Sequence, residues 1–285
     1  MRRSLGAAMV LAMALTGAAR AQPAEGGWRL HTDLGLRGIP VGVNAITDVG
    51  WRVPLFDSES LLLRKTYLDV GLTNGLSPAY LWAGAYIETL PVALLQLRLS
   101  AQYMQFFGTF GHLFEPSPTP DDWSLDDVDD RGGITEGKVT HGLLVEGRAT
   151  PRLKLGNVVA FAELRFMWLS VEDVGDTWYE PYYDIALAAT DQMLVARPTL
   201  GYLLMAEDPT RTYLLVGARW ERTQTVETDL TRDLIAGLIL WKIPTDWWAS
   251  GSPKLAVLAG GWAQHPLDRG APYVAAQLSL DYGAQ

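Results

Sequence analysis

Four histidines and one dense run of carboxylates are the residues of this chain best suited to chemistry. A histidine two positions before a serine on one strand would let the imidazole take the hydroxyl proton and generate a nucleophile. The residues two positions after His31, His112, His141 and His265 are Asp33, Phe114, Leu143 and Leu267. Serine hydrolysis of that geometry is therefore not expected. His112 with the pair Asp121-Asp122 could in principle support acid–base proteolysis, but nearness in sequence defines no geometry, so no catalytic residue is assigned. Asp121 to Asp130 holds six carboxylates in ten residues, a density that could attract Ca²⁺ or the divalent ions of surface lipopolysaccharide. Asp127, Asp129 and Gly132 fit the first, third and sixth positions of a calcium loop, yet Lys138 stands where a bidentate glutamate is needed. The expected reading is a solvated loop held extended by like charge, with no metal and no cofactor.

Charge and composition narrow the partners. The 285 residues carry 32 acidic against 23 basic side chains, a net of −9, and no cysteine. Arg2-Arg3, the apolar stretch Leu5 to Leu15 and the small-x-small triplet Ala19-Arg20-Ala21 read as an export signal over residues 1–21. A single domain is then expected over 22–285, with a net charge of −12 that disfavours nucleic acid. The lack of cysteine excludes disulfides, thiolate metal sites and a lipid-anchored cysteine. After residue 21 no run of 18 apolar residues occurs, so no membrane-spanning helix is expected.

The hydrophobicity is arranged instead with period two. In Tyr273 to Tyr282, Val274, Ala276, Leu278, Leu280 and Tyr282 oppose Ala275, Gln277, Ser279 and Asp281. Leu94 to Met104, Tyr213 to Arg222 and Trp28 to Gly38 repeat the pattern. It predicts about twelve strands, near 28–38, 41–55, 60–73, 79–90, 93–107, 138–149, 153–169, 193–206, 212–225, 231–242, 254–264 and 271–283. Short connections such as Thr150-Pro151-Arg152 alternate with long ones at 108–137 and 170–192, although 243–253 is long for its end and a strand near 180–192 would shift the alternation.

Size decides which face is inside. A barrel of about twelve strands has an interior too wide for Ala, Gly, Val and Leu to fill, so the apolar faces are expected to meet lipid. The other faces then line the lumen with Arg29, Asp33, Arg37, Asp48, Arg52, Asp69, Glu88, Arg98, Glu146, Arg148, Glu163, Arg165, Arg197, Arg219, Glu221 and Asp281. Trp28, Trp51, Tyr80, Trp82, Tyr103, Trp168, Tyr202, Trp220, Trp241, Trp262 and Tyr282 fall near strand ends, where a girdle of rings would sit at the headgroup levels. With its signal segment, alternating strands, girdle aromatics and closing strand 273–282, the chain resembles bacterial outer-membrane β-barrel proteins of the porin-like kind. The resemblance covers nearly all of the mature chain but is a pattern with no family motif.

That resemblance implies an all-β, closed, antiparallel, up-and-down transmembrane barrel in the outer membrane. Its partners would be membrane lipid, lipopolysaccharide, the insertion machinery and small solutes. A narrow channel is the first functional expectation. The alternatives are a plugged structural or surface-interaction barrel and, with the missing His and Ser spacing against it, a lipid-modifying or proteolytic enzyme. No enzyme activity is expected.

Overall fold

Alternation of apolar and polar side chains suits the pleat, and in the computed structural model it produces fourteen strands over residues 26–38, 41–107, 139–175, 177–180, 182–205, 212–244, 253–266 and 270–283, the residues described. They are β1 (Gly27–Arg37), β2 (Gly42–Pro54), β3 (Tyr67–Leu76), β4 (Tyr80–Val92), β5 (Leu95–Phe106), β6 (Thr140–Leu155), β7 (Val158–Val171), β8 (Thr177–Glu180), β9 (Ile185–Ala188), β10 (Thr190–Met205), β11 (Tyr213–Thr225), β12 (Thr231–Lys242), β13 (Lys254–Gln264) and β14 (Pro272–Gly283). Twelve of them form one closed antiparallel barrel in up-and-down order, sealed where β1 pairs with β14 from Arg29↔Gly283 to Arg37↔Ala275. Closure leaves no edge to satisfy, which is the condition for crossing hydrocarbon with strands. The remaining pair, β8 and β9, makes a separate two-stranded hairpin.

The two ends differ. The connections 38–41, 77–79, 107–139, 172–189, 226–230 and 265–271 lie at one end, which we call the loop end. At the other, the turn end, lie 55–66, 93–94, 156–157, 206–212 and 243–253, with the start of β1 and the close of β14. Both 55–66 and 243–253 are longer than ordinary periplasmic turns, but no additional spanning strand near 180–192 is needed to explain them. Residues 1–21 and 108–137 lie outside the described residues.

Three boundaries differ from expectation. The tight turn after β6 is Gly156-Asn157, with Gly156 at φ 60 as the first residue of a type II′ turn requires. Thr150-Pro151-Arg152 is instead part of β6, with Pro151 opposite Leu95, where β5 begins and little ladder is lost. Residues 60–65 are a turn, and the strand expected over 60–73 runs over 67–76.

Outward-facing Leu72, Leu99, Leu164, Leu200, Ile235 and Val274 are all exposed, as are many apolar neighbours on the same face. Trp28, Trp51, Tyr202, Trp241 and Tyr282 face outward near the turn end, and Tyr103, Trp168 and Trp220 nearer the loop end. Tyr80, Trp82 and Trp262 do not join this girdle: they are buried inside. Trp82 turns inward over Gly75, its cross-strand partner, where an added Cβ would stand 1.8 Å from the indole Nε1. The glycine makes the space that the tryptophan fills.

Longer connections at one end are characteristic of the outer surface of such barrels. An epitope inserted at Asp229 should therefore be recognised by antibody on intact cells, and one inserted at Gly156 only after the outer membrane is permeabilised. The reverse labelling would invert the orientation.

Candidate lumen site

Parity along each strand sends one set of side chains inward, and closure brings those sets together. On β1 to β5 the result is an interlocked ion cluster. Arg29 NH1 lies 3.2 Å from Asp69 and 3.5 Å from Glu88, Arg52 lies 3.3 Å from Asp69, and Arg98 grips both oxygens of Asp48 at 2.6 and 2.9 Å. Two phenols complete it: Tyr67 donates to Glu88 at 2.8 Å and Tyr86 to Asp69 at 3.0 Å. The same rings lie beneath Arg52 and Arg98, with guanidinium carbons 3.7 and 4.0 Å from the ring centroids, so each cation is held by a carboxylate and a π face.

A second cluster crosses β6, β7, β10, β11 and β12. Arg148 pairs with Glu146 at 2.6 Å, Arg165 with Glu163 at 2.8 Å and Glu146 at 3.4 Å, and Arg197 with Glu163 at 2.9 Å and Glu221 at 2.6 Å. Arg232 adds a 2.8 Å pair to Glu221. Residues two apart on one strand thus pair in Glu146/Arg148 and Glu163/Arg165. The third such couple, Arg219 and Glu221, does not: Glu221 is taken by Arg197 and Arg232, and Arg219 donates from Nε to Thr199 at 3.1 Å.

Asp281 accepts from His31 and Lys254, both at 2.7 Å, and Asp33 lies 3.1 Å from the other His31 nitrogen. With a carboxylate at each ring nitrogen, His31 has no free lone pair to act as a base toward a hydroxyl. His141 meets Glu172 at 3.2 Å and His265 meets Asp184 at 3.3 Å. His112 and the acidic run 121–130 lie outside the described residues, and among the described residues no cluster of metal-binding side chains occurs.

The loop-end half of the interior is filled by part of the chain itself. The connection expected to extend outside as 170–192 turns inward as the β8–β9 hairpin. Trp178, Ile185 and Leu187 are at most 1% exposed, packed with Phe106, Met104, Met167, Leu169 and Met193 of the barrel wall. Trp178 meets Phe106 edge-on at 5.3 Å and donates from Nε1 to the Ala188 carbonyl at 3.0 Å. Arg37, an inward cation of β1, donates to the Tyr182 carbonyl at 3.0 Å, and Arg165 donates to the Tyr183 hydroxyl at 3.1 Å.

The hairpin does not span the membrane, and its two acids behave oppositely. Burial pushes the Glu180 carboxyl up to about 7, despite backbone donors from Tyr182 and Tyr183. Burial also opposes ionisation of Asp184, but the bond and charge of His265 outweigh it and hold Asp184 at about 2. A carboxyl raised in the folded state favours docking at low pH, and that contribution is lost as pH rises through about 7.

Below the hairpin remains a cavity of about 450 Å³, lined by Arg29, Asp33, Asp48, Glu88, Arg98, Glu146, Arg148, Glu163, Arg165, Arg197 and Arg219, and roofed by Tyr182 and Tyr183. Of the interior charges on the barrel strands, His31, Asp191, Arg232 and Lys254 went unassigned in the sequence, although His31 shares the parity of Arg29 and Asp191 that of Arg197. Arg232 and Lys254 are placed inside by pairing with Thr223 and Ser279, which share the parity of Glu221 and Asp281. The hairpin's Glu180 and Asp184 carried no such signal, because the segment lies in a connection.

An apolar band facing out, aromatic rings near both rims and an ionic interior define an integral outer-membrane β-barrel. No protein-family model and no curated protein matches the sequence. Among solved structures, the chain is similar to the β domain of the Bordetella autotransporter BrkA, with 13% identity over 90% of this chain and 98% of that one and a TM-score of 0.47. It is also similar to the translocator domain of the autotransporter NalP from Neisseria meningitidis, with 11% identity, 98% and 95% coverage and a TM-score of 0.48. LpxR from Salmonella typhimurium matches with 10% identity, 89% and 99% coverage and a TM-score of 0.41.

Proposed function

We propose that this protein is a plugged outer-membrane barrel with a structural or surface-interaction role, closed at rest and without enzyme activity. The observation that carries this reading is the burial of Trp178, Ile185 and Leu187 inside the barrel against Phe106, Met104 and Met193. An open, hydrated lumen would leave these side chains in water, and their apolar area favours the docked hairpin by roughly 1.5–3 kcal/mol per large residue. Lipid and lipopolysaccharide are its surroundings, and the insertion machinery its route into them.

The narrow-channel reading is second. It is favoured by the charged cavity of about 450 Å³, which would line the path of small ions if the hairpin left. Planar-bilayer recording separates the two. The intact chain should show no stepwise conductance, and replacement of residues 177–188 by a short glycine–serine link should produce discrete steps. Steady conductance from the intact chain, unchanged by that replacement, would refute the plug and favour a resting pore.

A further inference from the structure

The four arginines that β6, β7, β10 and β11 turn toward the cavity are not equivalent. Arg148, Arg165 and Arg197 share Glu146, Glu163 and Glu221. Arg219 makes no ion pair among the described residues, and its one hydrogen bond there runs from Nε to Thr199. A guanidinium carries five N–H donors in a planar fork. The two terminal nitrogens of Arg219 therefore remain unused on a wall with four cations and three carboxylates, the third of these already shared with Arg232. Arg219 lines both the 450 Å³ cavity and a smaller one of about 200 Å³ beside the hairpin.

We infer that this wall holds a small oxyanion of the phosphate or carboxylate type, bound through the free edge of the Arg219 guanidinium. The fork geometry of arginine fits two oxygens of such an anion, and a site largely withdrawn from bulk water strengthens the contact. Solvent reaches the cavity: the Arg148 side chain is 28% exposed although it points inward, and inward-facing Gln277 is exposed. On the far wall Asp48, Asp69 and Glu88 of β2 to β4 are engaged by Arg29, Arg52 and Arg98, and Asp33 of β1 by His31, so the excess positive charge lies on the Arg219 side. This inference holds whether or not the barrel conducts.

The test uses the full chain in lipid nanodiscs with inorganic phosphate as probe, read by calorimetry against chloride at equal ionic strength. Saturable binding of one phosphate per chain is expected, with at least tenfold weaker binding in Arg219→Gln. Arg222→Gln, which removes an outward-facing arginine paired with Asp233 at 2.7 Å, should bind as the parent does. Heat-modifiable gel mobility reports folding, and should Arg219→Gln fail it, Arg219→Lys keeps the charge but loses the fork and should still weaken binding severalfold. Absence of saturable binding by the folded parent chain overturns the inference. So does parent-like binding by whichever Arg219 variant folds.

Discussion

Arginine at Leu99 is expected to lower the stability of the bilayer-inserted barrel by about 2–4 kcal/mol, the depth-dependent cost of a cation on the lipid face near the midplane. Leu99 is in the middle of β5, is 55% exposed, and pairs with Ile87 and Gly147 on an entirely apolar stretch of outer surface. Ala218 and Leu278 lie on the same outward face at mid-strand and should rank with it, whereas Leu143, opposite Tyr103 nearer the loop end, should cost only about 0–1 kcal/mol. The matched control is Gln277→Arg, one residue out of phase with Leu278, inward and water-accessible, which should be close to neutral. Ser100 and Gln102 also point inward, but both are buried and Gln102 donates to Ser100 at 3.1 Å. Arginine there should cost about 1–3 kcal/mol by overpacking, although alternation alone predicts tolerance. Urea unfolding from phospholipid vesicles gives the ranking, and a lower cost at Leu99 than at Gln277 would place the apolar face inside.

Removing the Glu221 carboxylate should be costly for a different reason. Glu221 accepts from Arg197 at 2.6 Å and from Arg232 at 2.8 Å, and Arg232 is only 3% exposed. Glu221→Gln strips the buried Arg232 of its carboxylate, a loss of about 3 kcal/mol, the lower end for a broken buried pair, while the partly buried Arg197 keeps Glu163 at 2.9 Å. Asp184 of the hairpin lies within electrostatic reach of Arg232 and moderates the loss without replacing the hydrogen bonds. The contrasting variant is Arg148→Gln. Its side chain is partly exposed and its acceptor Glu146 keeps Arg165 at 3.4 Å, so about 1 kcal/mol or less is expected. Equal effects for the two variants would show that the whole network is solvated and that no single carboxylate anchors it.

Most of the spanning strands were legible because their evidence is local. Leu95, Leu97 and Leu99 against Gln96, Arg98 and Ser100 define a half-apolar strand without reference to any neighbour, and so did β1, β11 and β14. The errors came at Thr150-Pro151-Arg152 and at 60–66, where turn-forming composition competes with ladder pairing and the ladder or the turn wins according to the opposite strand. Trp82 and Trp262 look like girdle residues by their distance from a strand end, but a ring faces in or out by parity, and Gly75 supplies the inward space for the first of them.

Alternation along the chain determined by itself that strands would cross in an up-and-down series, which side chains would share a face, and that charge would collect on one of them. Only the tertiary structure decided who meets whom. Closure sets Arg29 of β1 beside Asp69 of β3 and Asp281 of β14, residues far apart in sequence whose pairing depends on register and curvature. It also decided that the 172–189 connection would turn inward, because the benefit of burying Trp178 and Leu187 exists only once Phe106, Met167 and Met193 have been assembled into a wall. The isolation of Arg219 has the same origin: its near neighbour Glu221 is claimed by cations from the two adjacent strands, a competition that no single strand contains.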